Sequence, residues 1–133
     1  MIISDTKKRI GYISESCIGK KHDYTLLKET FPPAEDWFLG FILRVDLGYL
    51  GIKKEYKYKK VEIPHKKTKN KPLTVTQKEE NKILSAKRVI VEQSIGGIKR
   101  YRILSDRLRT HRIDLYDKFL GVCTGLWNFY IDK

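Results

Sequence analysis

Short apolar runs separated by turn residues dominate the first half of the chain, and they predict strands. Residues 2–4 and 9–16 are rich in β-branched and aromatic side chains, and they flank a polar turn at residues 5–8. Residues 41–45 form a compact apolar run that is too short for a helix, so we expect a buried central strand there. Residues 61–64 predict a fourth short strand, which Pro64 ends.

Apolar residues at helical spacing predict three helices. The first is short and follows Asp23, a suitable N-cap, up to the Pro32-Pro33 pair. A long helix is expected from Thr76, where residues 76–79 match a capping box, to Gly96-Gly97. The last helix spans about residues 115–130, and we interpret its apolar stripe as core. The members of that stripe are Phe119, Leu120, Val122, Cys123, Leu126, Trp127 and Tyr130. Strands followed by helices in this order predict an α/β or α+β fold with a small sheet.

Length and composition indicate one domain in the cytoplasm. The chain has 133 residues, close to the usual size of one domain. No apolar run reaches the ~18–20 residues of a membrane span, and the chain becomes charged after three residues, unlike a signal peptide. Two cysteines, Cys17 and Cys123, are too few for a disulfide framework or a structural zinc site, so we expect reduced thiols.

A strong excess of positive charge predicts a polyanionic partner. The formal net charge is +12, and the basic residues concentrate in residues 53–71 and 99–112. Lysine and arginine contacts to phosphate give affinity that does not depend on base sequence. The charge pattern indicates nucleic-acid binding without separating DNA from RNA, and a merely soluble basic surface remains an alternative.

Two carboxylates stand in unusual places. Asp46 directly follows the apolar run 41–45, where burial without a partner would be costly. Glu92 lies in the most apolar part of the long helix, on a face shared with Arg88 and with Gly96, which would permit a close approach. Carboxylates that converge from a strand end and a helix suit Mg²⁺. From spacing alone we favour ordinary surface or ion-paired acids over a metal site for both residues.

Four segments, in order along the chain, resemble motifs of bacterial insertion-sequence transposases of the DDE superfamily. GKKHD at residues 19–23 occupies the place of the family's G-S-x-H-D, and VDLGYLG at residues 45–51 is similar to D-x-G-Y-x-G. Residues 63–74 resemble IPHKK followed by KPLT, and residues 91–104 resemble the VE…IG segment. Together these motifs cover nearly the whole chain.

The resemblance implies a ribonuclease-H-like (integrase-type) α/β fold, with a mixed sheet flanked by helices. Three acids of that fold bind Mg²⁺ or Mn²⁺, and the motifs assign the second to Asp46 and the third to Glu92. In this family water cleaves the DNA backbone at the transposon end, and the freed 3′-OH then attacks target DNA. For His22-Asp23 we favour helix capping over metal binding. The expected DNA contacts are Lys53, Lys54, Lys66, Lys67, Arg88, Lys99, Arg100 and Arg102.

One departure from the family pattern concerns the first catalytic Asp, which the resemblance places on a strand beside residues 2–4. Asp5 is predicted in a turn and is no substitute. We therefore expect residues 1–133 to be a single partial catalytic domain from a truncated or split gene. It would lack the N-terminal strand and DNA-binding region and be inactive alone. Its partners would be transposon-end and target DNA, together with the missing part or a second copy. A non-catalytic nucleic-acid-binding module, or a structural partner of an intact transposase, remain alternatives.

Overall fold

The computed structural model describes residues 1–16, 21–69, 71–106 and 112–133. It is a mixed α/β structure with small sheets and several helices, which confirms the coarse fold prediction. The chain forms two compact units, residues 1–19 with 89–133 and residues 20–88. The sequence interpretations of Cys17, Arg107 and Arg109 lie outside the described residues. In the part of the chain that is described, no helix is long and apolar enough to cross a bilayer.

The first unit begins with a β-hairpin. Strands β1 (Ile2–Ser4) and β2 (Ile10–Ile13) pair antiparallel, with a register shift between Ile3 and Ser4. Asp5 shapes the turn because its Oδ1 accepts hydrogen bonds from the backbone N–H groups of Lys7 at 2.7 Å and Arg9 at 2.9 Å. The predicted turn around Asp5 is confirmed, and β2 is shorter than predicted.

Three helices complete the first unit: the end of α3 (Val75–Lys99), α4 (Arg102–Ser105) and α5 (Ile113–Ile131). Ile10, Ile98 and Trp127 are buried together at the centre of this unit. Gly97 is the glycine that permits close packing, because a Cβ there would overlap the Trp127 ring. At Gly96, on the face shared with Glu92, a Cβ would meet none of the described residues within 4 Å, so a close approach there stays a prediction.

Polar side chains of α3 and α5 bind the backbone of the hairpin. Asn128 acts like a neighbouring strand: its Nδ2 donates to the carbonyl of Ile10 and its Oδ1 accepts from the N–H of Ile10, both at 2.9 Å. The carbonyl of Lys8 accepts from Trp127 Nε1 at 3.0 Å and from Ser94 Oγ at 2.9 Å. These bonds satisfy backbone groups that would otherwise be costly to bury.

The second unit contains α1 (Asp23–Thr30), β3 (Ile42–Arg44), a 3₁₀ turn (Leu47–Tyr49), α2 (Ile52–Glu55), β4 (Lys60–Glu62) and the first part of α3. Strands β3 and β4 pair in parallel, with Leu43 opposite Val61. Because parallel strands need a crossover, the 3₁₀ turn and α2 fill the connection between them. The buried apolar residues of this unit are Leu27, Ile52, Tyr56 and Ile63.

Several predicted element details are wrong. The run 41–45 is not a buried central strand, because β3 is shorter, pairs only with β4 among the described residues, and leaves Phe41 and Ile42 exposed. The capping box lies two residues earlier than predicted. The N–H of Gln77 donates to Thr74 Oγ1, and the N–H of Thr74 donates to Gln77 Oε1. The long helix also continues through the glycine pair to Lys99.

The final helix also differs from its interpretation as a core helix. Cys123 and Trp127 of the predicted stripe are buried, and burial raises the pKa of the Cys123 thiol. Val122, Leu126 and Tyr130 are exposed. Seven apolar positions spread over more than one face of a helix, and periodicity alone does not tell which face is covered.

The described strands form two separate two-stranded sheets, one antiparallel and one parallel. A single mixed sheet, as the resemblance implies, is not present in the described residues. The strand that the resemblance places beside β1 is also not among them.

Candidate metal and nucleic-acid site

Asp46 stands immediately after β3 and caps the 3₁₀ turn that follows. Its Oδ1 accepts a hydrogen bond from the backbone N–H of Gly48 at 2.7 Å. A Cβ on residue 48 would lie 2.9 Å from that same oxygen, too close for ordinary contact. Glycine two positions after the aspartate therefore lets the carboxylate take this orientation without shifting. The D-x-G spacing of the motif thus has a local structural reason.

A cleft of about 720 Å³ opens beside Asp46 within the second unit. Its other charged lining residues are Lys21, Asp23 and Arg88, so both signs of charge face the same space. Arg88 Nη2 lies 4.0 Å from Asp46 Oδ2, and the Asp46 side chain remains 43% exposed. One carboxylate oxygen is therefore fixed by the backbone, while the other is shared between a cation and solvent. The remaining lining residues are His22, Leu47, Gly48, Pro64, Asn81 and Ser85.

Two carboxylates of this cleft act on one phenol, that of Tyr49. Burial is the main reason that the pKa of Tyr49 rises to about 12, and the carboxylates of Asp23 and then Asp46 raise it further. Because both carboxylates act on the same phenol, the end of β3 and the start of α1 share one electronegative neighbourhood.

His22 serves as the N-cap of α1. Its Nδ1 accepts from the backbone N–H of Tyr24 at 3.3 Å. Capping was expected for the His22-Asp23 pair, but the capping side chain is His22, and Asp23 lies in the first turn. An acid in that position is favourable because it faces the positive end of the helix dipole.

Glu92 is exposed on α3, in the part of the helix that belongs to the first unit. Within the described residues its carboxylate has no hydrogen bond or ion pair. It is therefore available to a ligand, and a cation shared with Asp46 stays a prediction. No group of three or more His, Cys, Asp or Glu residues arranged to hold a metal is present in residues 1–16, 21–69, 71–106 and 112–133.

The donor chemistry at Asp46 fits a hard divalent cation. Such a cation binds oxygen ligands, and Mg²⁺ typically takes one or two carboxylates together with water and substrate phosphate. Asp46 offers a half-exposed carboxylate with a fixed orientation at the edge of a cleft large enough for several waters.

Glu62 is a charged residue that the sequence interpretation missed. Its side chain on β4 is only 10% exposed and is paired with Arg44, Lys87 and Lys60. The hydrogen bond from Arg44 is the main reason that the pKa of Glu62 falls to about 2, against the opposing effect of burial. The ion pairs connect β3 and β4 with α3. The sequence signal that could have identified Glu62 is an acidic residue within a lysine-rich segment.

The loop after β4 is held by two residues of α3. Asn81 Oδ1 accepts from the N–H of His65 at 2.7 Å, and Asn81 Nδ2 donates to the His65 carbonyl at 3.0 Å. The His65 ring also lies 2.6 Å from Glu80. Lys66 and Lys67 follow this fixed point with exposed side chains. The basic residues of the IPHKK segment are therefore presented from an anchored backbone.

The other predicted DNA contacts divide between the units. Lys53 and Lys54 are exposed on the short helix α2. In the first unit Lys99 ends α3, and Arg100 lies 5.8 Å from the centre of the Trp127 ring. Arg102 is highly exposed and pairs with Asp106 one helical turn later. Two surfaces thus carry basic residues, one in each unit.

Comparison with known proteins gives a family for these features. The family model described as DDE superfamily endonuclease matches residues 1–128. A protein of Microchaete diplosiphon, described as a probable transposase for insertion sequence element IS702, is 37% identical over 113 residues. That alignment covers 84% of this chain and 38% of the relative, so the chain spans well under half of the relative's length. No solved structure matches the chain.

Proposed function

The chain belongs to the DDE superfamily endonuclease family, and on this basis we propose that it carries two of the three metal-binding acids of a transposase catalytic domain. Asp46 is the second acid and Glu92 is the third. The reaction is cleavage of DNA at a transposon end, followed by strand transfer into target DNA. The family implies use of a divalent metal, Mg²⁺ or Mn²⁺.

The observation that supports this proposal most strongly is the position of Asp46. It follows a parallel strand, its carboxylate is oriented by the Gly48 N–H, and it faces a cleft that also contains cationic side chains. The carboxyl ends of parallel strands are common places for ligand sites in α/β proteins. Purely structural acids are instead buried in ion pairs, as Glu62 is in the same unit.

Asp46, Gly48 and two cationic residues of the cleft have roles in the proposed reaction. Asp46 Oδ2 would hold the metal, while the Gly48 N–H keeps Oδ1 from rotating away. When bound, divalent metal activates the attacking oxygen and neutralises charge on the leaving oxygen. Lys21 and Arg88 line the cleft and would bind the phosphates that flank the scissile bond. Glu92 would supply the further carboxylate from α3.

We further propose a ribonuclease-H-like arrangement for the complete domain, with the first catalytic Asp on a strand that pairs beside β1. The family uses three acids, and only two are assigned to this chain. DNA cleavage is therefore expected when the 133-residue chain is combined with a segment that carries the first Asp.

Reconstitution tests this proposal. The 133-residue chain is mixed with a separately expressed segment containing the first Asp, and nicking of transposon-end DNA is measured with Mg²⁺ or Mn²⁺. We expect metal-dependent nicking by the mixture and none by either part. Asp46→Asn and Glu92→Gln should abolish nicking, whereas the matched controls Asp36→Asn and Glu79→Gln should retain it. Nicking that persists in Asp46→Asn, or its absence from the folded mixture, would contradict the proposal.

A second candidate is a nucleic-acid-binding module without chemistry. The exposed lysines of α2 and the anchored loop favour it, because phosphate binding needs no carboxylate. In that case Asp46→Asn and Glu92→Gln would leave all measurable behaviour unchanged. Reversing the charges of Lys53, Lys54, Lys66 and Lys67 would weaken binding and make it less dependent on salt.

A further inference from the structure

Helix α5 has two apolar faces, and among the residues that the structure describes only one of them is packed within its own unit. Leu120 and Trp127 pack in one core with Ile10 of the hairpin and Ile98 of α3, and Cys123 is buried. A second row lies on a different face of the helix, and we call it the outer stripe. Three of its members are largely exposed: Val122 at 62%, Leu126 at 48% and Phe129 at 65%. The outer stripe consists of Leu115, Phe119, Val122, Leu126 and Phe129.

The spacing of the outer stripe is that of a helix-pairing seam. Successive members are four, three, four and three residues apart, which is the alternation by which two helices keep apolar rows in contact. Contiguous exposed apolar residues often mark a protein–protein interaction surface, whereas single scattered ones do not. The partner surface is therefore expected to be another helix of matching spacing.

Small residues beside the outer stripe leave room for a close approach. Gly121 and Gly125 are one helical turn apart, and a Cβ added to either would meet none of the described residues within 4 Å. A neighbouring helix could therefore come closer beside the outer stripe than it could past larger side chains.

Charges at the two ends of the stripe indicate which helix is the partner. Lys118 and Asp132 border the stripe on the same side, seven residues before and seven after Gly125. Asp132 is 55% exposed although it lies 3.7 Å from Arg9, so it can accept a second cation. In an antiparallel pair of identical helices crossing at Gly125, Lys118 of each copy meets Asp132 of the other. A parallel pair would instead place like charges together.

We propose that α5 pairs antiparallel with α5 of a second copy of this chain. Val122 packs against Leu126 of the second copy, and Phe119 packs against Phe129 of the second copy. The two Gly125 residues face each other at the crossing point. The contact is isologous because each pair occurs twice around a two-fold axis. A single pair of 19-residue helices buries less than a standard interface of about 800 Å² per partner, so the dimer is expected to be weak.

Sedimentation equilibrium of the full 133-residue chain tests the proposal. We expect a reversible monomer–dimer equilibrium with a dissociation constant in the micromolar range. Val122→Glu and Leu126→Glu should make the chain monomeric. Val75→Glu, an equivalent change at an exposed position on α3, should leave the equilibrium unchanged. Circular dichroism confirms that each variant is folded. A chain that stays monomeric into the millimolar range, or a dimer that persists in both stripe variants, would overturn the proposal.

A charge exchange tests the antiparallel orientation separately. Lys118→Glu and Asp132→Lys should each weaken dimerisation by about tenfold, because each creates two like-charge contacts. The double variant restores opposite charges and should recover most of the lost affinity. Weakening by both single variants without recovery in the double variant would rule out the antiparallel pairing.

Discussion

The two compact units place their polar side chains differently. In the unit of residues 1–19 and 89–133, Asn128 and Ser94 bind backbone groups of the hairpin around a buried tryptophan. In residues 20–88, Asp46 and Arg88 stay half exposed beside a cleft. The first arrangement fixes a structure, and the second leaves charge available to a ligand. The comparison locates the Asp46 part of the candidate site in the unit whose charges are not fully used by the fold.

The largest effect is expected from the core of the first unit. Trp127→Ala removes a buried ring and its hydrogen bond to the Lys8 carbonyl, and it should lower the free energy of unfolding by about 3–5 kcal/mol. Urea denaturation measures this change. Phe41→Ala, which truncates an exposed aromatic residue of the second unit, should cost less than about 1 kcal/mol. Equal losses in the two variants would contradict the assignment of Trp127 to a core.

Lowering the pH should reduce the stability of the second unit, because Glu62 becomes protonated. The pKa of this carboxyl in the folded protein is about 2, below its ordinary value of 4.5. Its ion pairs therefore stabilise the fold above pH 4.5, and that stability is lost as pH falls toward 2. The contribution is about 2–3 kcal/mol. Glu62→Gln should flatten this part of the curve of unfolding free energy against pH, whereas Glu79→Gln should not. A curve that Glu62→Gln leaves unchanged would show that the ion pairs do not stabilise the fold.

Two asparagines allow a direct comparison of the units, since each makes a pair of bonds to one backbone residue. Asn128→Ala should destabilise the chain by about 1–3 kcal/mol, because the Ile10 backbone groups lose partners in a partly buried place. Asn81→Ala acts at an exposed site and should cost less than about 1 kcal/mol. Thermal unfolding measures both. The reverse order would mean that the loop carrying Lys66 and Lys67 is a structural element rather than an anchored surface.

The smallest effect concerns Arg88, whose guanidinium lies near the Asp46 oxygen that would hold the metal. Arg88→Gln removes a competing cation and should strengthen Mn²⁺ binding by about threefold to fivefold. Electron paramagnetic resonance titration of free Mn²⁺ measures this affinity. Lys82→Gln, an exposed charge loss on the same helix, should have no effect. Weaker Mn²⁺ binding in Arg88→Gln would show that Arg88 orients the carboxylate instead of competing for it.

Local sequence signals predicted much of the fold. The polar turn at Asp5 and the hairpin strands on either side of it were predicted correctly, apart from the length of β2, because turn chemistry and β-branched residues act over a few neighbouring positions. The capping box was placed two residues late, since Thr74 and Thr76 both offer a hydroxyl and both precede a suitable acceptor. Only the observed bonds show that Gln77 pairs with Thr74.

Features of the structure that depend on contacts between distant segments were predicted less well. Gly96 and Gly97 look equivalent in sequence, but only Gly97 faces Trp127, which lies 30 positions later. Glu62 looked like one acid among lysines, although Arg44 and Lys87 reach it from other elements. Asp46 could be identified because a local motif, aspartate followed by glycine two positions later, determines its orientation.

The central claim is that Asp46 and Glu92 bind a common divalent cation, and a double-mutant cycle on Mn²⁺ affinity tests it most directly. The wild-type chain, Asp46→Asn, Glu92→Gln and the double variant are titrated with Mn²⁺ under identical conditions. If one ion is shared, each single variant weakens binding by about tenfold or more, and the double variant binds no more weakly than the weaker single. If Glu92→Gln binds Mn²⁺ as the wild-type chain does, or if the two losses simply add, the acids do not share a cation and the claim is contradicted.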